Sequence, residues 1–373
     1  MASVDLGVPS IGSFPEAQRQ LNICNSCRYC AAYCPVWPAL EQRVDLTPAD
    51  VTHLANLCHD CRDCYVACMY IPPHEFAVNP PEVFAKVRGE TYDKFIWPAH
   101  RPGWLRNRTG QTLALVLVTA LLVGLSLLTT DGAAFRRGPG SPYDLISTWV
   151  LIGVCLAPFV FSIVVIVAGA ARYWRFTHGP LKDLFDVRAW ITSFGQAAVL
   201  RHQAGVAEAC TSAADEKPSP ARRIHHQLVV YGFLLTLLAT TSAAFNEHIL
   251  GMHPPYPYLS VPVVSGTVGG IMQVVGCIGL MYYKRRTDPG QTTRRMWRAD
   301  FAFIWALLII NLTGLLVLVV RTTAWFGPTL LVHLAAVLLA FAIAPYTKFV
   351  HWVFRLLAIY KNTLEVNAAA PPH

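Results

Sequence analysis

The sequence predicts a mainly α protein in two parts, a cysteine-rich head (1–105) joined to a six-helix transmembrane bundle. Two observations predict it. Eight of the eleven cysteines fall in two copies of one pattern before residue 70. Beyond residue 110 the chain is built of long apolar runs, and overall only 14% of residues are charged against 54% apolar. That balance belongs to membrane proteins, not to one large soluble domain. The net charge of +8 is spread between the apolar runs and is not gathered on the head. Such placement marks topology determinants, so nucleic acid is not an expected partner.

The head comes first. Cys24-x2-Cys27-x2-Cys30-x3-Cys34 is followed by Pro35, and Cys58-x2-Cys61-x2-Cys64-x3-Cys68 repeats the spacing. This is the bacterial ferredoxin run, in which three cysteines hold one iron–sulfur cubane and the fourth reaches the other. The repeat predicts a ferredoxin-like domain with two [4Fe–4S] clusters. Cys24, Cys27, Cys30 and Cys68 would hold the first, and Cys58, Cys61, Cys64 and Cys34 the second. A cubane presents four iron corners, each needing one soft thiolate, and three cysteines two residues apart can reach three neighbouring corners. Structural zinc also uses four thiolates, but it brings together separated pairs and does not crowd three cysteines into one loop. A disulfide framework fits less well, since no secretory signal precedes the motif and cytosolic thiols stay reduced. His53, His59, His74 and His100 also lie in the head, and His59, inside the second run, falls at no ligand position.

Six apolar segments can cross roughly 30 Å of hydrocarbon, near 111–130, 146–171, 227–250, 260–283, 300–320 and 329–352. The fourth is rich in glycine, and Gly266-x3-Gly270 predicts close helix contact there, with a re-entrant segment as the alternative. The sequence divides into 106–172 for spans one and two, 173–224 for a loop, 225–360 for spans three to six, and 361–373 for a tail. Lys and Arg set the orientation. Arg101, Arg106 and Arg108 precede the first span, and Arg172, Arg175, Lys182, Arg188, Arg201, Lys217, Arg222 and Arg223 follow the second. Lys284, Arg285, Arg286, Arg294, Arg295 and Arg298 follow the fourth, and Lys348 and Arg355 close the sixth. The opposite loops hold Arg136, Arg137 and Arg321. The positive-inside rule then predicts a bacterial inner-membrane protein with both termini and the head in the cytoplasm.

The loop 173–224 carries Leu184, Phe185, Val187, Trp190, Ile191, Phe194, Val199 and Leu200 at partly helical spacing. It reads either as an amphipathic helix on the membrane surface or as a dock for the head. Cys210 is expected to be an unliganded thiol, and Cys155 and Cys277 to be small buried residues.

Ionisable residues within spans point to function. His226 and His248 stand at the ends of the third span, and His333 and His351 at the ends of the sixth. The step from His226 to His248 returns to within roughly 40° of one face, and that from His333 to His351 closes almost completely. The two helices are antiparallel, so His226 shares the inner side with His351, and His248 the outer side with His333. This layout suits bis-histidine haem b held between helices, one at the inner side and a second at the outer. His225 points about 140° away from His248. His253 reads as a loop residue. Asn246 and Glu247 mark either interfacial solvation or a proton or quinone site, and Pro345 predicts a kink.

The cysteine repeats, the stretch Tyr92–Pro98 (YDKFIWP), and the block from Arg222 through Tyr258 together resemble the tricarballylate- and citrate-utilisation protein B family. PVVSGTVGG and PYTKFVHWVFR extend the likeness over nearly the whole chain. The resemblance implies the membrane partner of an FAD-dependent tricarballylate dehydrogenase. Such a partner reoxidises the reduced flavin and passes electrons through its clusters and haem to the quinone pool. The cysteines carry over one by one. Related haem anchors place two axial histidines closer together on one helix, but here the position ten residues after His226 is Thr236. Met69 also stands where a proline often follows the second run. No residue reads as a catalytic acid, base or nucleophile, and no dinucleotide fingerprint follows a strand, so the flavin is expected on the partner. Two other readings remain open at this stage: the membrane subunit of a heterodisulfide- or fumarate-type reductase working with quinol, and a redox sensor.

Overall fold

The computed structural model describes residues 11–97, 107–131, 135, 145–203, 217–287, 290 and 292–369. The expectations for His100, Arg101, Arg106, Arg136, Arg137 and Cys210 fall outside them. Among the described residues every regular element is helical. The head comprises α1 (Phe14–Cys27), α2 (Val36–Glu41), α3 (Pro48–Leu57), α4 (Asp63–Val66) and α5 (Pro80–Phe95). Thr47 and Asp50 start α3 by capping each other's backbone N–H groups, with Pro48 in the first turn, where its missing N–H costs nothing. The Asn79 side chain caps α5 in the same way by accepting from the Glu82 N–H.

The spans follow as α6 (Arg108–Thr130), α7 (Thr148–Phe176), α9 (Ala221–His248), α10 (Val261–Arg286), α11 (Arg294–Val320) and α12 (Phe326–Ile343), with α8 (Val187–Ala198) in the loop between α7 and α9. All six expected segments are long and apolar enough to cross a membrane. The glycine-rich fourth span is one continuous helix, not a re-entrant segment. Its tightest approach to α9 is made by Gly269 and Gly276, while Gly266 of the expected pair also meets α9, at Ala239, 3.3 Å from where a Cβ would stand. A Cβ on Gly269 would stand 2.7 Å from the Gly232 carbonyl oxygen, and one on Gly276 2.8 Å from that of His225. Gly270 faces Leu315 of α11 instead.

The sixth span departs from expectation. Helix α12 stops at Ile343, two short 3₁₀ turns occupy Ala344–Tyr346 and Lys348–Val350, and a new helix, α13 (His351–Ala369), begins. Pro345 is the cause: it has no N–H for the Phe341 carbonyl, and its ring crowds that position. The Ser162 hydroxyl of α7 donates to the stranded carbonyl. His333 and His351 therefore ride on different helices, and the single-helix rotation between them does not apply.

Helix α13 is part of the head's core. Leu21, Leu54, Val87, Phe354, Ile359, Tyr360 and Tyr173 share one buried cluster, and Tyr92 of the head stacks on Phe354 with ring centroids 5.1 Å apart. The stretch set apart as a tail from 361 continues this helix. Asn362 and Thr363 are buried, and Glu365 pairs with Arg43 at 2.8 Å. In the loop, Trp190 of α8 stacks on Tyr360 at 4.0 Å, while Ile191 and Phe194 stay exposed on the outer side. The helix is amphipathic, and the loop touches the head as well, with the His202 ring 5.2 Å from that of His59.

Candidate cluster and haem sites

Both cysteine runs bend through backbone that only a few residue types adopt without strain. Helix α1 ends at Cys27, and Arg28 turns left-handed with φ 55°, its N–H donating to the Cys24 carbonyl at 2.9 Å. In the second run Asp60 and Arg62 are left-handed at φ 60° and 75°. Each such residue costs on the order of 1 kcal/mol, and such strain gathers at functional sites.

The bends place the cysteines around two hollows. One, of about 560 Å³, is lined by Cys24, Cys27, Cys30 and Cys68 together with Cys64, which lines both hollows. The other, of about 430 Å³, is lined by Cys34, Cys58, Cys61 and Cys64. Cys68 and Cys34 thus each leave their own run to join the other. The runs meet where the Cys30 thiol reaches the Cys64 carbonyl at 3.9 Å. Among the described residues no three His, Cys, Asp or Glu side chains converge closely enough to bind a single metal ion. The quartets line the two hollows.

The donor chemistry points the same way. Burial, reinforced by Cys68, pushes the Cys24 thiol up to about 12, and burial with Cys58 nearby does the same to Cys34. Burial lifts Cys30 to about 11. Such thiols bind metal only as thiolates, so loading a cluster there would be coupled to proton release. Backbone N–H groups already point at sulfur, from Asp60 to Cys58 and from Tyr70 to Cys68, each at 3.4 Å. The residues fit two four-thiolate clusters.

Three arginines, Arg88 of α5, Arg355 of α13 and Arg222 of the span α9, hold the loop of the second hollow. Arg355 donates to the Cys58 carbonyl at 2.8 Å, Arg88 to the same carbonyl at 3.4 Å, and Arg222 to that of Asp60. Arg222 stands one turn before His226, and Arg355 one turn after His351. The two histidines face each other with ring centroids 6.2 Å apart and planes at 89°. His351 Nδ1 lies 2.5 Å from the Lys348 carbonyl, so Nδ1 carries the proton and Nε2 keeps its lone pair. The two rings make an edge-on contact, and this pair supplies the candidate axial ligands for a haem. His226 Nδ1 is buried without a hydrogen-bond partner.

The other histidines are placed elsewhere. His225 packs against Tyr283 and α10, its Nδ1 2.7 Å from the Ala221 carbonyl. His333 meets Thr313 at 3.1 Å and lies over Gly314, whereas His248 is exposed at the end of α9. Among the described residues no ring contact joins His248 to His333. His253 binds Glu247 at 2.9 Å. His53 is buried in the head core, His74 packs on Tyr70 and Phe76, and His59 lines the second hollow with Nδ1 2.7 Å from the Leu57 carbonyl. Sequence reasoning passed over the arginine clamps, although the four-residue steps Arg222–His226 and His351–Arg355 were there to be read.

Comparison with known proteins agrees with this architecture. Residues 105–372 match the family model described as Citrate utilization protein B, and residues 17–94 match that family's Fer4-like domain. The Citrate utilization protein B of Escherichia coli is 36% identical over 354 residues, covering 94% of this chain and 92% of that protein. No solved structure matches the chain. The Fer4-like match points to an iron–sulfur electron-transfer role, and six apolar helices fit a multi-pass membrane protein. With matches spanning head and bundle alike, the chain belongs to the Citrate utilization protein B family.

Proposed function

We propose that this chain takes electrons from the reduced FAD of a partner dehydrogenase and delivers them to the quinone pool. It would do so by way of two [4Fe–4S] clusters and one haem b. The observation that carries this reading is the pair of arginines, Arg222 and Arg355, each gripping the second cysteine run from one turn away from a facing histidine. Cys24, Cys27, Cys30 and Cys68 would hold one cluster, Cys34, Cys58, Cys61 and Cys64 the other, and His226 and His351 the haem. When bound, these groups supply one-electron carriage between a two-electron flavin and a two-electron quinone.

The chain's own residues set the order. Cys27 is exposed, beside the exposed side chains of Tyr29 and Met69, so the first hollow is the face that a flavoprotein can approach. The second hollow lies inward, against α9 and α13, with Arg88, Arg222 and Arg355 holding its loop. N–H donors to Cys58 and Cys68 favour the reduced, more negative state of whatever those sulfurs bind. The basic loops support an inner-membrane location with both termini cytoplasmic. The sequence resemblance supports a tricarballylate dehydrogenase as the partner.

The test is to mix reduced tricarballylate dehydrogenase with anaerobic vesicles carrying this chain and quinone. Reduction of the b-type absorption bands and loss of quinone are expected together. Loaded clusters that pass no electrons would contradict the reading.

A further inference from the structure

The two sides of α8 are covered very differently. Ala189 and Ser193 are fully buried on its inner side, where Trp190 stacks on Tyr360 and the Ser193 hydroxyl meets that of Thr363 at 3.2 Å. That side is held by α13, part of the head's core. The other side carries Val187, Ile191, Phe194 and Ala198, spaced four, three and four residues apart, which aligns them in one stripe. Val187 and Ile191 are 67% and 68% exposed, and Phe194 55%. Leu181 and Phe185, in the turn before the helix, are exposed as well. A continuous apolar stripe of this kind marks an interaction surface.

Three hydrogen bonds fix the level at which the stripe stands. The Tyr231 hydroxyl of α9 donates to the Ala198 carbonyl at 2.8 Å, while Arg223 and Gln227 donate to that of Val199 at 3.0 and 3.3 Å. These three residues follow one another every four positions along one face of α9. Tyr231 lies about 15 Å along the helix, after its apolar run has begun with Leu228, Val229 and Val230. Further along the same face Leu234 and Leu238 are exposed, as the lipid-facing side of a span is. The end of α8 is thus moored to a span where that span has entered its apolar run, and its stripe adjoins the span's uncovered face. The flanks are basic. Arg172, Arg175, Lys182, Arg188 and Arg201 are all exposed, against two acids, Asp183 and Asp186, and Asp186 caps α8 by accepting from the Ala189 N–H at 2.9 Å. Apolar side chains with cations beside them match the interface of a bilayer that carries anionic phosphates. A soluble partner would have to reach a surface set at the level of a span's apolar run.

We propose that α8 lies in the bilayer interface on the head's side, with Val187, Ile191 and Phe194 among the lipid chains and Lys182, Arg188 and Arg201 at the phosphates of anionic phospholipids. Lipid covers the outer stripe of the helix, and α13 covers the inner one. The same α13 holds the loop of the second hollow through Arg355, so the bilayer braces the head as well as the spans. The inference goes beyond the electron-transfer reading and does not depend on it.

The test places photoreactive benzoylphenylalanine in the full chain, in place of Ile191 or Phe194, in nanodiscs of phosphatidylcholine with phosphatidylglycerol. Both side chains are exposed, so the replacement displaces no packed neighbour, and the readout needs no haem, cluster or partner. Lipid adducts are counted by mass spectrometry against two reference positions, Leu117, exposed on α6, and Val44, exposed on the head. Yields are expected within about threefold of that at Leu117 and at least about tenfold above that at Val44. Omitting phosphatidylglycerol, or combining Lys182→Gln, Arg188→Gln and Arg201→Gln, should lower the yield at least about twofold. Adducts no more frequent than at Val44, or a yield indifferent to both charge changes, would overturn the proposal. So would a crosslink to a second copy of the chain, or in whole membranes to another protein, in place of lipid.

Discussion

The Arg355 guanidinium donates to the carbonyl of Cys58 at 2.8 Å, so the residue one turn beyond His351 grips the start of the second cysteine run. A hydrogen bond from a charged donor is worth about 1.5–3 kcal/mol when its partner is buried. Arg355→Met should therefore loosen the second cluster's loop and leave the first undisturbed. Electron paramagnetic resonance of the reduced variant should show one altered signal, and a change confined to the first cluster would argue against the clamp.

The crossing of Cys34 and Cys68 between the runs makes a prediction that sequence neighbours would not. Cys27→Ser and Cys68→Ser should abolish the same cluster signal, although they lie in different repeats. Cys34→Ser should abolish the other. Loss of the same signal in Cys27→Ser and Cys34→Ser would show that each run keeps its own cubane.

The facing histidines separate one candidate from its rivals. His351→Ala and His226→Ala should each remove the b-type absorption bands, whereas His225→Ala, His248→Ala and His333→Ala should leave them. A full reduced spectrum in His351→Ala would exclude the pair.

Close packing of α9 on α10 carries its own test. A Cβ at Gly269 would stand 2.7 Å from the Gly232 carbonyl oxygen and 2.9 Å from the Thr236 nitrogen, backbone that cannot give way locally. Gly269→Ala should cost about 1–3 kcal/mol through overpacking. Gly124→Ala, where nothing lies within 4 Å, should be neutral or better. Thermal unfolding in detergent compares the two, and equal midpoints would discount the contact.

Much of this was legible in the sequence because it is encoded locally. The cysteine spacing dictates which thiols can share a cubane, and the length and apolar content of each run dictate a span. The meeting of His226 and His351 was legible too, through antiparallel spans with both residues at the inner end. The one-helix rotation from His333 to His351 was not a sound route to it, because Pro345 ends α12 and hands His351 to a new helix. The fate of residues after 361 was hidden for another reason. Nothing local says that Asn362 and Thr363 will be buried or that Glu365 will meet Arg43, since Arg43 lies 322 residues from Glu365 and Ser193, which meets Thr363, lies 170 residues away. The ion triad of Lys284, Asp300 and Lys348 is likewise a product of three elements meeting.

The proposed function requires that the paired cysteine runs hold iron and sulfide and that the membrane bundle bind haem. Anaerobic purification followed by iron, acid-labile sulfide, zinc and haem analysis tests it most directly. Two four-iron clusters and one axial histidine pair predict about nine irons, eight acid-labile sulfides and one b-type haem per chain, with no zinc. Stoichiometric zinc without sulfide, or full clusters with no haem on intact protein, would contradict it.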